Sequence, residues 1–512
     1  MSPQIADPDT AMTRDELEAR GAKGAAALAA LGVGPDDKVA VIMRNDLAHL
    51  EVMRGVSLAE AILVPLNWHA AAQEVADILA DSGAEVVILH RDLIAPVESA
   101  LAGKTVIAVT PDAALTAAYS SADQAPASGT YPEWSDLLDA AAPVVGRPPM
   151  RAMMRYTSGS TGKPKGIRRI PAATDSGPAD YYAIMRRIAP EMFRFRPGGR
   201  FLTAAPLYHS APGTLTAMAL AMEDMAVHVL PRFDPVSFLE AIEREKITHI
   251  YLVPTMMSRL LKLPEDVKAR YDTSSVEFCV STGSPWPHEV KRAMIDWWGP
   301  VFWETYGASE IGFMTMVTSE EALARPGTAG RIQLGGSIRV YDADGQQLPP
   351  GEVGDIYVKM DAFGKFDYSN DPEGRKRAEI DEHVSVGDMG WLDEDGFLFI
   401  TDRKKDMIIS GGANIFPAEI EAVLIEAPFV TDVAVFGAPD EEFGEKIVAA
   451  IQPAAGWTPD ADEVMRWLGG RLARFKQPRI IDFHNALPRE DSGKIFKPRL
   501  RAPYWEGAGR SI

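Results

Sequence analysis

The sequence predicts an α/β protein with a large N-terminal domain and a small α+β C-terminal domain. In the first half, short apolar runs alternate with helical stretches, which is typical of parallel sheets covered by helices on both faces. After about Ile332 this alternation gives way to short strands and tight turns. We therefore expect two doubly wound αβ subdomains and a β-rich subdomain within residues 1–404, and a separate domain at 405–512.

The first half supports the parallel sheets element by element. Alanine and leucine at helical spacing predict a helix at 16–31, which the glycines and aspartates of 32–37 end. A Ser- and Ala-rich stretch at 120–130 indicates a surface connection. The other predicted strands lie at 38–43, 61–66, 85–89, 153–156, 201–205, 227–230 and 247–253, and the helices between them at 50–58, 72–82, 213–222 and 234–245.

The second half predicts shorter elements joined by turns. The turn sequence Asp342-Ala-Asp-Gly345 lies between two β-like runs, and a similar acidic turn at 393–396 precedes a third. Pro417 is expected to begin a helix, where its missing N–H costs nothing. The predicted strands are 338–341, 355–359, 397–401, 430–436 and 447–451, and the predicted helices are 417–425 and 461–472.

Composition narrows the class of function. The chain has 512 residues, 46% of them hydrophobic, and a net charge of −20, which disfavours nucleic-acid and anionic-membrane binding across the surface. No apolar run reaches the roughly 18 residues that a membrane span needs, and residues 1–14 lack the apolar core of a secretory signal. Cys279 is the only cysteine, so a reducing, cytoplasmic location is expected and the thiol is interpreted as core packing.

The motif Tyr156-Thr-Ser-Gly-Ser-Thr-Gly-Lys-Pro-Lys-Gly166 is the strongest functional signal. Glycines let backbone N–H groups converge on an anion, and hydroxyls and ammonium groups add donors and charge, so a triphosphate is the expected ligand. The alternative is a Ser/Gly loop without a ligand. The motif is not a Walker A sequence, because Thr157 and Pro164 stand where that sequence needs Gly and Ser or Thr. Its candidate ATP-binding residues are Thr157, Ser158, Gly159, Ser160, Thr161, Gly162, Lys163 and Lys165.

Four further motifs follow in order along the chain: Glu304-Thr-Tyr-Gly-Ala-Ser-Glu310, Ser385-Val-Gly-Asp-Met-Gly390, Thr401-Asp-Arg-Lys-Lys-Asp406 and Pro488-Arg-Glu-Asp-Ser-Gly-Lys494. Together with the phosphate motif they make the chain resemble the adenylate-forming superfamily, which includes acyl-CoA synthetases, luciferases and peptide-synthetase adenylation domains. The resemblance extends from about Thr13 to about Arg501. It implies an AMP-forming acyl-CoA synthetase, an acid–thiol ligase that uses a carboxylic acid, ATP, Mg²⁺ and coenzyme A (CoA).

The resemblance also implies a role for each motif residue in the nucleotide site. Glu310 would hold Mg²⁺, for which a carboxylate is a suitable hard oxygen ligand. Asp388 would accept hydrogen bonds from the ribose hydroxyls. The other implied ATP contacts are Glu304, Thr305 and Tyr306 around adenine, Ser309 at the α-phosphate, Arg403 at the ribose, and Gly283, Ser284 and Pro285 in the pocket wall.

The remaining implied roles concern the acyl group, CoA and a mobile C-terminal domain. Lys494 would bridge the substrate carboxylate and the α-phosphate, where an ammonium neutralises developing charge. Lys405 would be the hinge between the domains. The implied acyl pocket contains His209, Ala211, Gly283 and Gly307, with His209 also in the catalytic set, and the implied CoA-binding residues are Ser410, Gly411 and Gly412.

The sequence departs from the family pattern at two places. Ile409 stands where some relatives have a lysine, which removes one cationic contact. The family's opening strands before Thr13 are largely missing, so we expect either a trimmed domain edge or homodimer contacts that replace it.

The acid itself is left open by the sequence. Ser210-Ala-Pro-Gly213 lacks the acidic residue that amino-acid-activating relatives use to hold an ammonium group, so a fatty, aromatic or other bulky apolar acid is expected. Trp286 is a candidate for shaping the pocket. Methionines near the expected pocket either adapt to an apolar acyl group or simply pack in the core: Met218, Met222, Met225, Met256, Met257, Met314 and Met316. Two alternatives are an enzyme that delivers the adenylate to a protein carrier or another acceptor, and a non-catalytic member of the fold.

Overall fold

The structure is a computed structural model. It describes residues 4–119, 129–158, 164–170, 180–284, 286–371, 373–404, 406–410, 413–440, 442–489 and 495–506. Most of the predicted connection at 120–130 lies outside the described residues.

The chain begins with two short strands that were not predicted, and then alternates helices with strands as predicted. The first helix starts at a capping box. The Thr13 side chain accepts a hydrogen bond from the backbone N–H of Glu16, and the Glu16 carboxylate accepts one from the backbone N–H of Thr13. The elements are β1 (Gln4–Ala6), β2 (Ala11–Thr13), α1 (Arg14–Ala30), β3 (Lys38–Ile42), α2 (Leu47–Leu58), β4 (Ile62–Pro65), α3 (Ala72–Ser82), β5 (Val86–His90), α4 (Ile94–Val97), β6 (Thr105–Val109), α5 (Ala113–Tyr119) and α6 (Trp134–Ala140).

The middle of the chain forms a second alternating series. Its elements are β7 (Arg155–Ser158), β8 (Pro164–Ile170), α7 (Tyr181–Phe193), β9 (Arg200–Thr203), α8 (Ser210–Ala221), β10 (Ala226–Val229), α9 (Pro235–Glu245), β11 (His249–Leu252), α10 (Pro254–Leu261), α11 (Glu265–Lys268), β12 (Phe278–Ser281), α12 (His288–Trp298), β13 (Phe302–Glu304), β14 (Gly307–Ala308), β15 (Gly312–Phe313), β16 (Thr315–Met316) and α13 (Ser319–Ala324).

Short strands dominate the rest of the chain. They and the accompanying helices are β17 (Thr328–Ile332), β18 (Ser337–Tyr341), β19 (Gly354–Lys359), β20 (Lys365–Tyr368), α14 (Gly374–Arg377), β21 (Glu379–Ile380), β22 (His383–Leu392), β23 (Phe397–Arg403), β24 (Ile408–Ser410), β25 (Ala413–Ile415), α15 (Pro417–Ile425), β26 (Val430–Asp440), β27 (Gly444–Pro453), α16 (Ala461–Leu468), β28 (Ile480–Phe483) and α17 (Lys497–Trp505). Helix α16 ends four residues earlier than predicted, at the glycines Gly469 and Gly470, which disfavour helix.

Two sheets account for the doubly wound subdomains. The first has four parallel strands in the order β4-β3-β5-β6. The second has the order β13-β12-β11-β9-β10-β1-β2 and is parallel except where β1 meets β2. The α/β fold class with a large N-terminal region and a C-terminal unit is therefore confirmed.

The opening strands correct one expectation. Gln4–Ala6 pairs in parallel with β10, and Ala11–Thr13 pairs with it as the outer strand of the same sheet. Two short strands before the first helix are therefore present and complete this edge within one chain. The homodimer that was expected to replace a missing edge loses that support.

Antiparallel sheets follow the two parallel ones. The β-rich subdomain is the sheet β16-β17-β23-β22-β19-β18, to which β21 adds at β22. A separate three-stranded sheet, β20-β8-β7, joins this region to the middle of the chain. Near the C-terminus, β25-β24-β27-β26 form a sheet with β28 alongside β27.

The methionines that flanked the expected pocket mostly pack in the core. Met222 is partly buried against the largest apolar cluster, and the other six are buried within it: Met218, Met225, Met256, Met257, Met314 and Met316. Cys279 on β12 is also fully buried, and burial raises the pKa of its thiol well above the usual value. None of the helices found in the described residues combines the length and apolar character that crossing a membrane requires.

Candidate active site

The predicted phosphate motif begins in one strand and ends in an antiparallel one. Strands β7 and β8, which we call the phosphate hairpin, pair with Thr157 opposite Lys165 and Ser158 opposite Pro164. The five candidates between these strands lie outside the described residues: Gly159, Ser160, Thr161, Gly162 and Lys163.

Tyr368 brings the phosphate hairpin to the predicted magnesium ligand. Strand β20 pairs with β8, and Tyr368 stands opposite Ile167. The Lys165 ammonium lies 5.3 Å from the centre of the Tyr368 ring, whose hydroxyl donates a 3.4 Å hydrogen bond to a Glu310 carboxylate oxygen. The structure thus brings Lys165 and Glu310 to two sides of one aromatic side chain that sequence reasoning missed.

Arg169 holds the segment that carries Glu310. Its guanidinium donates a 3.0 Å hydrogen bond to the backbone carbonyl of Ser309, one of the predicted α-phosphate contacts. Burial raises the pKa of Glu310, whereas the nearby positive charges of Arg169 and Arg403 oppose that shift. Burial also lowers the pKa of Arg169. The two positive charges therefore offset part of the shift that burial causes.

The chemistry of Glu310 fits Mg²⁺. Across the described residues, no group of three His, Cys, Asp or Glu side chains converges to hold a metal by protein ligands alone. Magnesium is commonly held by one or two carboxylates, with substrate phosphates and water supplying its other oxygens. Glu310 can fill the protein's share of such a set.

The predicted adenine and ribose residues meet at the end of the β-rich sheet. The Tyr306 hydroxyl donates a hydrogen bond to the Asp388 carboxylate. Asp388 on β22 is paired in register with Arg403 on β23, and the Arg403 Nε lies 3.6 Å from Asp388 Oδ1. Burial and the neighbouring Asp388 raise the pKa of Tyr306 well above its usual range. Asp388 is therefore in direct contact with predicted residues from two other motifs.

Glu304 and Thr305 contact protein groups. The Glu304 carboxylate forms an ion pair with Lys291, and burial raises its pKa. The Thr305 hydroxyl donates a 2.6 Å hydrogen bond to the Thr315 carbonyl. The Lys291 ammonium also lies 5.1 Å from the centre of the Trp286 ring, so Trp286 belongs to this packing. These side chains fix the strand that precedes Tyr306.

Two glycine positions shape the predicted pocket wall. A Cβ on Gly307 would lie 2.4 Å from the Gly312 carbonyl oxygen, so no larger residue fits between β14 and β15. Gly283, just after β12, has a φ of +99°, and Ser284 beside it is half-buried. Pro285 lies outside the described residues.

The predicted acyl-pocket residue His209 precedes helix α8, and Ala211 lies in the first turn of that helix. The His209 ring packs 4.3 Å from the Tyr208 ring. The buried Arg155 on β7 donates a 3.1 Å hydrogen bond to the His209 carbonyl and a 3.0 Å bond to the Thr214 hydroxyl. Burial lowers the pKa of Arg155 to about 10. The phosphate hairpin and the predicted acyl pocket are thus connected through one guanidinium.

The C-terminal candidates are only partly covered. Ser410 ends β24 and stands opposite Ala413 and Gly444. Near the predicted hinge, the Ala418 N–H donates a 2.9 Å hydrogen bond to Asp402, which connects β23 to the start of α15. Four candidates lie outside the described residues: Lys405, Gly411, Gly412 and Lys494.

Sequence reasoning missed Arg155, Arg169 and Tyr368. Alternation along β8 offered one signal for the second of them, because Lys165, Ile167 and Arg169 share one face of a strand. No local pattern identified Tyr368, whose neighbours in space come from other segments.

Comparison with known proteins identifies the family. The family model for the AMP-binding enzyme matches residues 2–365, and the model for the AMP-binding enzyme C-terminal domain matches residues 419–494. A feruloyl-CoA synthase from Amycolatopsis sp is 34% identical, over 96% of this chain and 94% of the relative. The long-chain-fatty-acid–CoA ligase FadD13 from Mycobacterium tuberculosis is 33% identical, over 97% and 94%.

A solved structure agrees with these relatives. The crystal structure of ATP-bound MatB from Rhodopseudomonas palustris superposes with a TM-score of 0.83 at 27% identity, covering 99% of this chain and 97% of MatB. The fold and the motif order therefore point to the same family as the sequence relatives. The chain belongs to the AMP-binding enzyme family and, within it, to the AMP-forming acyl-CoA synthetases.

Proposed function

We propose that this synthetase activates a fatty or aromatic carboxylic acid in the cytoplasm, with Mg²⁺ bound at Glu310. The observation that carries the proposal is the contact of groups from separate motifs: Lys165 and Glu310 both meet Tyr368, and Tyr306 and Arg403 both meet Asp388. ATP would lie with its phosphates between Lys165 and Glu310, and with its ribose at Asp388.

The first half-reaction forms an acyl-adenylate. A carboxylate oxygen attacks the α-phosphorus of ATP, the bond to the β-phosphate oxygen breaks, and pyrophosphate leaves. Lys165 and Lys494 would neutralise negative charge on the phosphates and on the attacking carboxylate, and positioning contributes most of the rest. Bound Mg²⁺ would supply further neutralisation of the phosphate charge.

The second half-reaction transfers the acyl group. The CoA sulfur attacks the acyl carbonyl, its thiol proton is lost, and the bond to the AMP phosphate breaks, which gives acyl-CoA and AMP. We propose that a domain at 405–512 turns about Lys405 relative to 1–404, which removes Lys494 and brings Ser410, Gly411 and Gly412 to the acyl group. Such hinge motions commonly separate two steps in one active site.

The acid class rests on the pocket segment and on the relatives. Helix α8 begins with Ser210-Ala-Pro-Gly213, which offers no carboxylate for a substrate ammonium. The two curated relatives carry the names of an aromatic acid and of long-chain fatty acids. Because most of the candidate methionines pack in the core, they do not decide between a ring and a chain.

A panel of acids tests the proposal. Pyrophosphate and AMP release would be measured for short, fatty, aryl and steroid carboxylates, with and without CoA, and the thioester would be detected by mass. Release that requires the acid, together with a CoA thioester of a fatty or aryl acid, is the expected result. Turnover of short acids alone would overturn the substrate class, and adenylate without thioester would indicate a carrier protein or another acceptor.

A further inference from the structure

Asp81, in the last turn of α3, receives hydrogen bonds from two other parts of the chain. The Tyr156 hydroxyl donates to its carboxylate at 2.6 Å. The Ser369 hydroxyl donates to the same oxygen, and the Asn370 amide donates to the other oxygen. One carboxylate in the first doubly wound subdomain therefore contacts both the phosphate hairpin and the segment after β20.

These two segments flank the predicted triphosphate site. Tyr156 directly precedes Thr157 on β7, and Ser369 directly follows Tyr368, which contacts Lys165 and Glu310. The segments also touch each other, because the Ser369 N–H donates a 2.8 Å hydrogen bond to the Gly166 carbonyl. Asp81 contacts both segments but is not one of the predicted ATP-binding residues.

The contact between these segments is tightly packed. A Cβ on Gly166 would lie 2.5 Å from the end of Met154, 2.7 Å from the Ser369 hydroxyl and 2.9 Å from the Tyr156 ring. Burial and the Asp81 carboxylate raise the pKa of Tyr156, so it remains a neutral donor. Hydrogen bonds to a carboxylate are about twice as strong as neutral ones, and several on one group restrict its position.

We propose that Asp81 is a positioning residue for the triphosphate site, where it fixes the distance between the phosphate hairpin and the Tyr368 segment. Lys165 and Glu310 are then held at the separation that the ATP phosphates require. The proposal rests on the proposed ATP site, and it predicts an effect on ATP binding that is separate from binding of the acid.

The main test compares Asp81→Ala with Asp77→Ala. Asp77 lies one turn earlier on the same helix, is exposed, and among the described residues accepts a hydrogen bond only from Gln73. Asp81→Ala should weaken ATP binding, measured by calorimetry, about tenfold and raise the KM for ATP to match, as expected for losing hydrogen bonds to a charged group. The KM for the acid, and CoA thioester formation from supplied acyl-adenylate, should match the wild type and Asp77→Ala.

Asp81→Asn is the conservative variant, because an amide oxygen can still accept from Tyr156 and Ser369. It should restore most of the ATP affinity. Tyr156→Phe and Ser369→Ala each remove one donor and keep the proposal testable if Asp81→Ala does not fold. Each should weaken ATP binding about threefold, less than Asp81→Ala.

The outcomes separate two kinds of failure. If the wild type binds no ATP, the proposed function fails. If the wild type binds ATP and Asp81→Ala, or both single-donor variants, bind it equally well, the role of Asp81 is wrong. An equal loss in ATP affinity, acid KM and thioester formation would also overturn the proposal, since it would show a general effect on folding.

Discussion

Arg155 and Tyr156 are neighbours on β7, but the Tyr156 side chain contacts a charged group whereas the Arg155 side chain contacts neutral groups. Successive side chains of a strand point to opposite faces. On one side the Tyr156 hydroxyl donates to the carboxylate of Asp81. On the other side the Arg155 guanidinium donates to the His209 carbonyl, the Thr214 hydroxyl and the Met153 sulfur, all of which are neutral.

This difference suggests that Tyr156 and Arg155 act on different substrates, with Arg155 on the face of the hairpin that also carries Lys165. The Asp81 side holds the segments around the phosphates through charge-assisted bonds. The Arg155 side buries a cation, 9% exposed, with the like-charged Arg169 nearby and with neutral acceptors. Burying such a charge is costly unless its hydrogen bonds are well formed. We therefore expect changes at Arg155 to act on the acyl pocket, and changes at Asp81 to act on ATP.

The largest effect is expected at Lys494, which should act on the rate of adenylate formation rather than on the positions of other residues. Lys494→Ala should lower the rate of adenylate formation by about 100- to 1000-fold, as for removal of one group that stabilises transition-state charge. Thioester formation from supplied acyl-adenylate should stay near wild type, which single-turnover assays of the two half-reactions can measure. An equal loss of rate in both half-reactions would show that Lys494 does not act specifically in adenylate formation.

Arg155→Gln is the next largest change and tests the acyl side directly. Loss of the bonds to His209 and Thr214 should raise the KM for the acid about tenfold, with the KM for ATP within about twofold of wild type. Arg168→Gln is the matched control, because Arg168 is exposed and alternates to the other face of β8. If Arg155→Gln raises both KM values equally, Arg155 does not act on the acyl pocket alone.

Much of the fold could be predicted from periodicity, whereas these contacts could not. The predicted strand at 38–43 and helix at 72–82 appear as β3 and α3, because a buried strand and an amphipathic helix leave local patterns. Ser369, in contrast, lies 288 positions after Asp81, and only tertiary packing brings them together. The glycine-rich motif indicated the phosphate hairpin, but neither Tyr368 nor Arg155 carried a local signal for its partner.

Mild acid should lower the stability of the protein through His49, while the charges of Arg155 and Tyr156 stay the same. Burial lowers the pKa of His49 to about 4, below the usual 6.5, so the unfolded chain binds the proton more readily. Stability from this group is complete above pH 6.5 and is lost as pH falls towards 4, by up to about 1.4 kcal/mol per pH unit. The thermal-unfolding midpoint should fall over this range in the wild type, and less steeply in His49→Gln.

Tyr156→Phe and Arg155→Gln are the controls for this titration. Burial lowers the pKa of Arg155 only to about 10 and raises that of Tyr156, so neither changes its charge in acid. Their midpoint curves should run parallel to that of the wild type. A curve that flattens for either variant would show that the phosphate hairpin itself responds to acid.

Thr214→Val should give the smallest effect and tests how Arg155 acts. The change removes one acceptor of the Arg155 guanidinium and leaves its bond to His209, so the KM for the acid should rise about threefold. Thr216→Val, two positions later on α8, is the control, because the buried Thr216 hydroxyl has no hydrogen-bond partner among the described residues and its loss should cost nothing. Since Thr214 would act only through Arg155, Arg155→Gln with Thr214→Val should be no worse than Arg155→Gln alone. Additive effects in that double variant would show that Thr214 contributes to the pocket independently of the guanidinium.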